Sequence, residues 1–386
     1  MPELLIFIGE IIMKKFFIII ILLIFYNKLC FSDYKGIVGY FDKSEEMQEF
    51  ILDEEGNITF GINYDISHEP HKISISPNSK LILVTSGPWG DGRLDLFSID
   101  SNLNLTYKGI ALNNVAYYSP VTFTPDSKYV IIICYRTDIE DWTISLFRIE
   151  EDLLIDLSSY IPIPENNLLS LIQLAMSSFG GTFCGVDRQD DIYEMCVFKF
   201  DEETETISFT GQRIPLTEIG GTRDTRTSSN GRTCAHSEVG TATAILTINP
   251  DGSVNEDVHY VAYQDGGINN LVFSPNSQYL YITYMGGSGT LESHHIDWDG
   301  TPTLIQYDKG DFEGAQAFDI TPDGKFGVIA HHYVPNYQTV SVIKFNGDGT
   351  FQKLDKDFTM LGHFSDLKFI PPYVTSAEDE IWEMYE

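Results

Sequence analysis

The sequence predicts an all-β protein: a seven-bladed β-propeller of four-stranded blades, closed by three N-terminal strands plus one C-terminal strand. Three observations predict it. A short turn phrase recurs, its copies stand about 49 residues apart, and strand-forming segments fill the space between copies. The clearest copies are Ser76-Pro77-Asn78-Ser79-Lys80, Thr124-Pro125-Asp126-Ser127-Lys128, Ser274-Pro275-Asn276-Ser277-Gln278 and Thr321-Pro322-Asp323-Gly324-Lys325. A hydroxyl residue first, proline second and a small residue fourth suit a type I turn. Two weaker copies without proline, Ser177–Gly181 and Ser228–Arg232, fill the long gap, and a seventh start falls near Ile370.

The elements follow in order. Met13-Lys14-Lys15 precedes an apolar run from Phe16 to Phe25, and small residues stand at Cys30 and Ser32. That is the layout of a secretory signal peptide over residues 1–32, so a secreted or periplasmic protein is expected. The alternative is an uncleaved membrane anchor. The apolar run is short of the roughly 20 residues that span a bilayer. Residues 33–371 then form the propeller. The first complete blade reads as strands 72–76, 81–85, 94–100 and 105–111, each bounded by turn residues. A four-strand unit repeating near 50 residues marks a propeller blade, because stacking such sheets radially buries both faces of each. Strands 35–41, 47–53 and 57–64 align with the last three strands of the blade that starts at Thr124. The chain end supplies their missing partner at 366–370, which removes the open edge. Residues 372–386 form an acidic C-terminal tail.

Composition narrows the function. The 386 residues carry 24 Lys and Arg against 56 Asp and Glu, a formal net charge of −32. Such a surface repels phosphate backbones, so no nucleic acid partner is expected. Apolar residues make up 43%, and 21 Tyr, 25 Phe and 31 Gly suit strands and tight turns. No C-x-x-C or Cys/His spacing supports a metal site, and no cofactor is implied.

The segment Phe273–Ile282 and the segments 321–326, 339–345 and 347–351 resemble the repeats of seven-bladed propellers of the lactonase-like and YVTN-repeat families. The resemblance spans nearly all of residues 33–371, and its motif specifies a blade rather than an activity. The 6-phosphogluconolactonase branch of that group would imply lactone hydrolysis. Pro70-His71 is similar to a Pro-His found before the first turn in that branch, but no matching catalytic set accompanies it. WD-repeat propellers match less well, since Trp298-Asp299 is a single occurrence.

Candidate chemistry sits where first strands line the channel. Two residues before the turn proline, or its equivalent, stand Ile75, Phe123, Met176, Thr227, Phe273, Ile320 and Phe369, an apolar ring. Six residues before it stand His71, Ser119, Ile172, Arg223, Asn269, Gln316 and Ser365, where alternation predicts apolar side chains but polar ones dominate. A polar ring at a channel mouth suits a small ligand. The tentative binding set is His71, Arg223, Asp224, Arg226, Asn269, Gln316 and Asp366. The arginines suit a carboxylate or phosphate, or else Asp224, Asp319 and Asp366 neutralise them in a structural network. His71, near His68 and Glu69, is a possible general base. His294-His295 and His331-His332 place at most one histidine of each pair on a given face. Asp297–Gly300 and Asn346–Gly349 read as hairpin turns rather than calcium loops.

Two functions fit. One is an exported binding or scaffold module for a small anion, a glycan or a protein, acting as a monomer. The other is a lactonase-like hydrolase. Separately, Cys184 and Cys196 flank a turn near Asp190, and an unbulged hairpin would place them opposite each other, within reach of a disulfide. N-terminal sequencing of the exported protein is expected to begin near Asp33. Recovery of intact residues 16–25 would show an anchor instead.

Overall fold

The computed structural model describes residues 33–372, apart from 42–45, 67, 88–91, 116–120, 152, 164–173, 180, 190–191, 220–223, 238–241, 263–266, 286–288, 332–338 and 360–362. The signal segment, nearly all of the acidic tail, Ser119, Ile172, Arg223 and His332 lie outside these residues. The described residues hold 28 strands and no helix. The strands associate in antiparallel groups of four, all but one wound in chain order. Two groups join into an eight-stranded sheet where Val115 bridges Cys134. One group breaks chain order: His363–Phe369 pairs with Tyr34–Phe41, which continues to Glu46–Leu52 and Ile58–Asp65.

The recurring phrase owes its fold to local hydrogen bonding. In five copies the first residue's hydroxyl accepts the N–H of the residue five positions on, for example Leu81 to Ser76 at 2.9 Å and Phe326 to Thr321 at 3.0 Å. The same hydroxyl donates to the Asn or Asp two positions on, at 2.6–2.9 Å. The fourth residue takes a left-handed backbone: φ is 54° at Ser79, 60° at Ser127 and Ser277, 71° at Gly231 and 72° at Gly324. Small residues tolerate that region best. All six copies, including proline-free Ser177 and Ser228, share a backbone bond from the first N–H to the carbonyl five residues on. Between residues far apart in the chain, the Ile370 N–H donates to the Lys35 carbonyl at 2.9 Å.

The core lies between successive groups. One apolar cluster joins Leu83, Leu94 and Leu96 to Val121, Ile132 and Phe147. Another joins Val328 and Val342 to Val38, Phe50 and Leu367, and a third joins Ile37 and Met47 to Ile73, Val84 and Phe97. Alternation along each strand explains this, since both faces of every sheet meet a neighbour. The first strands also touch in succession. Pro70–Ile75 meets Thr122–Phe123, contacts continue through Leu174–Met176, Asp224–Thr227, Gly267–Phe273 and Ala315–Ile320 to His363–Phe369, and that strand meets Pro70–Ile75.

The cysteine expectation fails. Gln189 pairs with Ile192, which sets Cys184 opposite Val197 and Cys196 opposite Gly185. The shift of one residue turns the two thiols to opposite faces. Cys196 packs in one interface with Phe183 and Leu146, and Cys184 in the next with Cys234 and Leu246.

Because one hydroxyl both accepts and donates a hydrogen bond in these turns, Thr124→Val and Thr321→Val should each cost about 1–2 kcal/mol in urea unfolding. Equal losses at these two distant turns would confirm their common chemistry; a neutral effect at either would refute it.

Candidate functional site

The residues six before the turn are polar because the first strands bulge there. Pairing with the second strand skips His71, Asn269, Gln316 and Ser365. A bulge residue has no ladder partner and breaks the alternation of faces, so the expectation of an apolar side chain does not apply to it. The ring therefore stands at one end of the first strands, where four described strands interrupt their pairing.

Below it, positions three and five before the turn share the other face of the strand. Among the described residues they carry Lys72, Ser74, Thr122, Asp224, Arg226, Asn270, Asp319, Asp366 and Lys368, with Ala175, Val272 and Ala317 as the apolar exceptions. Asp224 Oδ2 accepts the Leu271 N–H at 3.3 Å, Asp319 Oδ2 accepts the Phe369 N–H at 2.8 Å, and Asp366 Oδ2 accepts the Ile73 N–H at 2.9 Å. Ser74 Oγ accepts the Val121 N–H at 3.1 Å, and the Thr122 hydroxyl donates to the Leu174 carbonyl at 2.8 Å. The Thr227 hydroxyl donates to the Met176 carbonyl at 2.5 Å, and Asn270 Nδ2 to the Gln316 carbonyl at 2.7 Å. Each bond runs from a first-strand side chain to the backbone of the neighbouring first strand. These strands are sheet edges, and their outward backbone groups need partners once buried.

Charges alternate along the same surface. Arg226 Nε lies 3.1 Å from Asp224 Oδ2, and Lys368 Nζ lies 3.8 Å from Asp319 and 3.9 Å from Asp366. Burial opposes the Arg226 charge, but Asp224, Asp366 and Asp319 around it raise its pKa above the usual value. Burial also opposes ionisation of Asp366, yet Lys368, Lys72 and Arg226 hold its carboxyl below the usual range. At Asp319 burial prevails and the pKa rises. The Asp224 carboxylate is fully buried, with Oδ1 lacking a hydrogen-bond partner among the described residues.

His71 is buried, and its Nε2 lies 3.0 Å from the Gly87 carbonyl, so Nε2 carries the proton. Burial above all, with help from Lys72, pushes its pKa down to about 4 despite that bond. The imidazole is neutral at physiological pH.

Of the seven binding residues expected from sequence, the structure joins Asp224 to Arg226 directly and brings Asp366 within their field. His71, Asn269 and Gln316 belong to the bulged ring, with Asn269 described only in its backbone. Arg223 lies outside the described residues. Sequence reasoning passed over Lys72, Lys368, Ser74, Thr122 and Asn270. Comparing copies at three and five residues before the turn, rather than two and six, would have exposed them.

The histidine pairs divide as expected where described. His294 Nε2 bonds Glu292 Oε2 at 2.9 Å in one interface, while the His295 ring packs on Tyr279 across the other face. Asp297–Thr301 and Asn346–Thr350 close as hairpin turns. Among the described residues, no three His, Cys, Asp or Glu side chains are placed to hold a metal.

No protein-family model and no curated protein matches the sequence. Solved structures match in fold. A candidate 6-phosphogluconolactonase from Bacteroides fragilis superposes with a TM-score of 0.68 at 17% identity, over 88% of this chain and 98% of that one. The periplasmic gluconolactonase of Pseudomonas aeruginosa gives 0.66 at 16% identity, over 88% and 99%. A Lactobacillus plantarum protein gives 0.63 at 15%, over the same shares. At these identities the likeness extends to the fold alone: the chain shares the propeller-like architecture of these proteins.

A histidine whose folded pKa lies below its unfolded value of about 6.5 costs stability as the pH falls between the two. The protein should thus lose up to roughly 3 kcal/mol through His71 between pH 6.5 and 4. His71→Gln, which keeps a donor for Gly87, should flatten that part of the pH–stability profile. An unchanged slope would mean that His71 is charged in the folded state.

Proposed function

We propose that the chain is a closed seven-bladed propeller working as an exported binding module. It takes a small, uncharged, hydroxylated ligand of the glycan class at the channel end bearing His71, Asn269, Gln316 and Ser365. Closure is supported by the run of first-strand contacts from Pro70–Ile75 round to His363–Phe369 and back, and by the Ile370–Lys35 bond.

One observation carries the ligand reading: the described charges of the channel are matched. Lys72, Arg226 and Lys368 face Asp224, Asp319 and Asp366, so three cations meet three carboxylates. A phosphate or carboxylate ligand needs a surplus of positive charge or an unengaged guanidinium fork. Arg226 already spends its Nε on Asp224. Gln316 and Ser365 place an amide and a hydroxyl at the bulges, and such groups suit the hydroxyls of a sugar. The small anion among the expected ligands is accordingly the least supported.

Lactone hydrolysis is the second reading, favoured by one feature: His71 is neutral and its Nδ1 carries a lone pair, as a base requires. Its burial argues against direct contact with a substrate.

Calorimetric titration with neutral oligosaccharides, a sugar phosphate and glucono-δ-lactone separates the readings. Saturable binding of a neutral sugar, weakened about tenfold or more by Gln316→Ala, is expected, with lactone loss at the uncatalysed rate. Lactone turnover abolished by His71→Gln would establish the second reading, and tight binding of the sugar phosphate alone would contradict the charge argument.

A further inference from the structure

We propose that Cys184 and Cys234 are a cross-linking site, forming a disulfide between two packed sheets when the chain folds in the presence of a small-molecule disulfide. Cys184 lies on strand Thr182–Gln189 and Cys234 on strand Thr233–Ser237, which belong to different sheets. Both are fully buried, and both are in the same apolar cluster, with Val186, Val197 and Leu246. Cys184 is the neighbouring group that acts on Cys234 across the interface, so the two thiols face one another between the sheets. Ala242 and Ala244 share that cluster, and such short side chains let the two sheets approach closely. Linking them requires the two sulfurs to close to the ~2.05 Å of an S–S bond.

The interface also fixes when the bond forms. The Cys184 thiol beside it, together with burial, raises the Cys234 pKa well above the usual thiol value. Thiolate is the attacking species, so the folded, sealed pair is inert and reaction belongs to folding, before the sheets close. One cysteine thiolate attacks a sulfur of the external disulfide and releases one small thiolate. The second cysteine thiolate then attacks the protein sulfur of this mixed disulfide and releases the other. The two thiol protons pass to the released thiolates. The protein loses two electrons, and the small disulfide is reduced to two thiols. Export, as expected from residues 1–32, would place folding in a compartment where such oxidants operate. The chemistry itself does not depend on the ligand reading above.

The test is to unfold and reduce the full chain, refold it with glutathione disulfide, isolate the natively folded fraction, and alkylate it under denaturing conditions without reductant. Peptide mass spectrometry should find Cys184 linked to Cys234, with Cys134 and Cys196 alkylated. The linked form should melt higher than Cys184→Ser refolded identically. Alkylation of both Cys184 and Cys234 would overturn the proposal. So would a link from either to Cys134 or Cys196, or a linked form that melts lower than the serine variant.

Discussion

Every four-stranded sheet has two edges, and an edge strand exposes backbone donors and acceptors that must find partners or water. The described strands solve this differently at each edge. On the inner side, Asp224, Asp319, Asp366, Ser74, Thr122, Thr227 and Asn270 reach across to the backbone of the neighbouring first strand. Each junction between successive first strands thus has at least one side chain serving its neighbour's backbone. On the outer side, pairing to the fourth strand is interrupted by a bulge in six of the groups, and the outer strand His259–Ala262 of another has four residues. Bulged or very short edges resist pairing with other chains. The polar inner surface is therefore first a structural requirement, and any ligand must use what it leaves over.

The junctions are not equivalent. The strand His363–Phe369 is the one element joined to its sheet from the far end of the chain, and carboxylates serve both of its junctions, through Asp319 and Asp366. Lys368 lies between those two groups. Hydrogen bonds to an ionised acceptor are roughly twice as strong as neutral ones. Stronger bonds thus hold the one strand that joins its group from the far end of the chain, while Ser74, Thr122, Thr227 and Asn270 serve four of the other junctions. The third carboxylate, Asp224, is paired with Arg226, so its charge is compensated beside it.

Much of this was legible in the sequence. The turn phrase could be read because its chemistry is local: a hydroxyl, an Asn or Asp two residues on and a left-handed residue after it act within six positions. The strands bounded by those turns, and the pairing of the N-terminal strands with the C-terminal one, followed from it. The ring containing His71 and Gln316 was found by alignment, but alternation gave no reason for its polarity, since bulges are set by the neighbouring strand. Cys184 and Cys196 were placed opposite each other because a turn centred on Asp190 was assumed. Pairing of Gln189 with Ile192 moves the register by one and reverses every facing pair. The contact of Cys184 with Cys234 depends on the packing of two sheets, which no local pattern encodes.

Native-state hydrogen exchange at the inner edges tests this account most directly. The amides of Ile73, Val121, Leu271 and Phe369 have side-chain acceptors on neighbouring strands, so they should exchange as slowly as ladder amides in the middle of the second strands. Exchange of these four amides at rates typical of exposed loops, with the ladder amides still protected, would show that the side-chain bonds between first strands do not hold the sheets together.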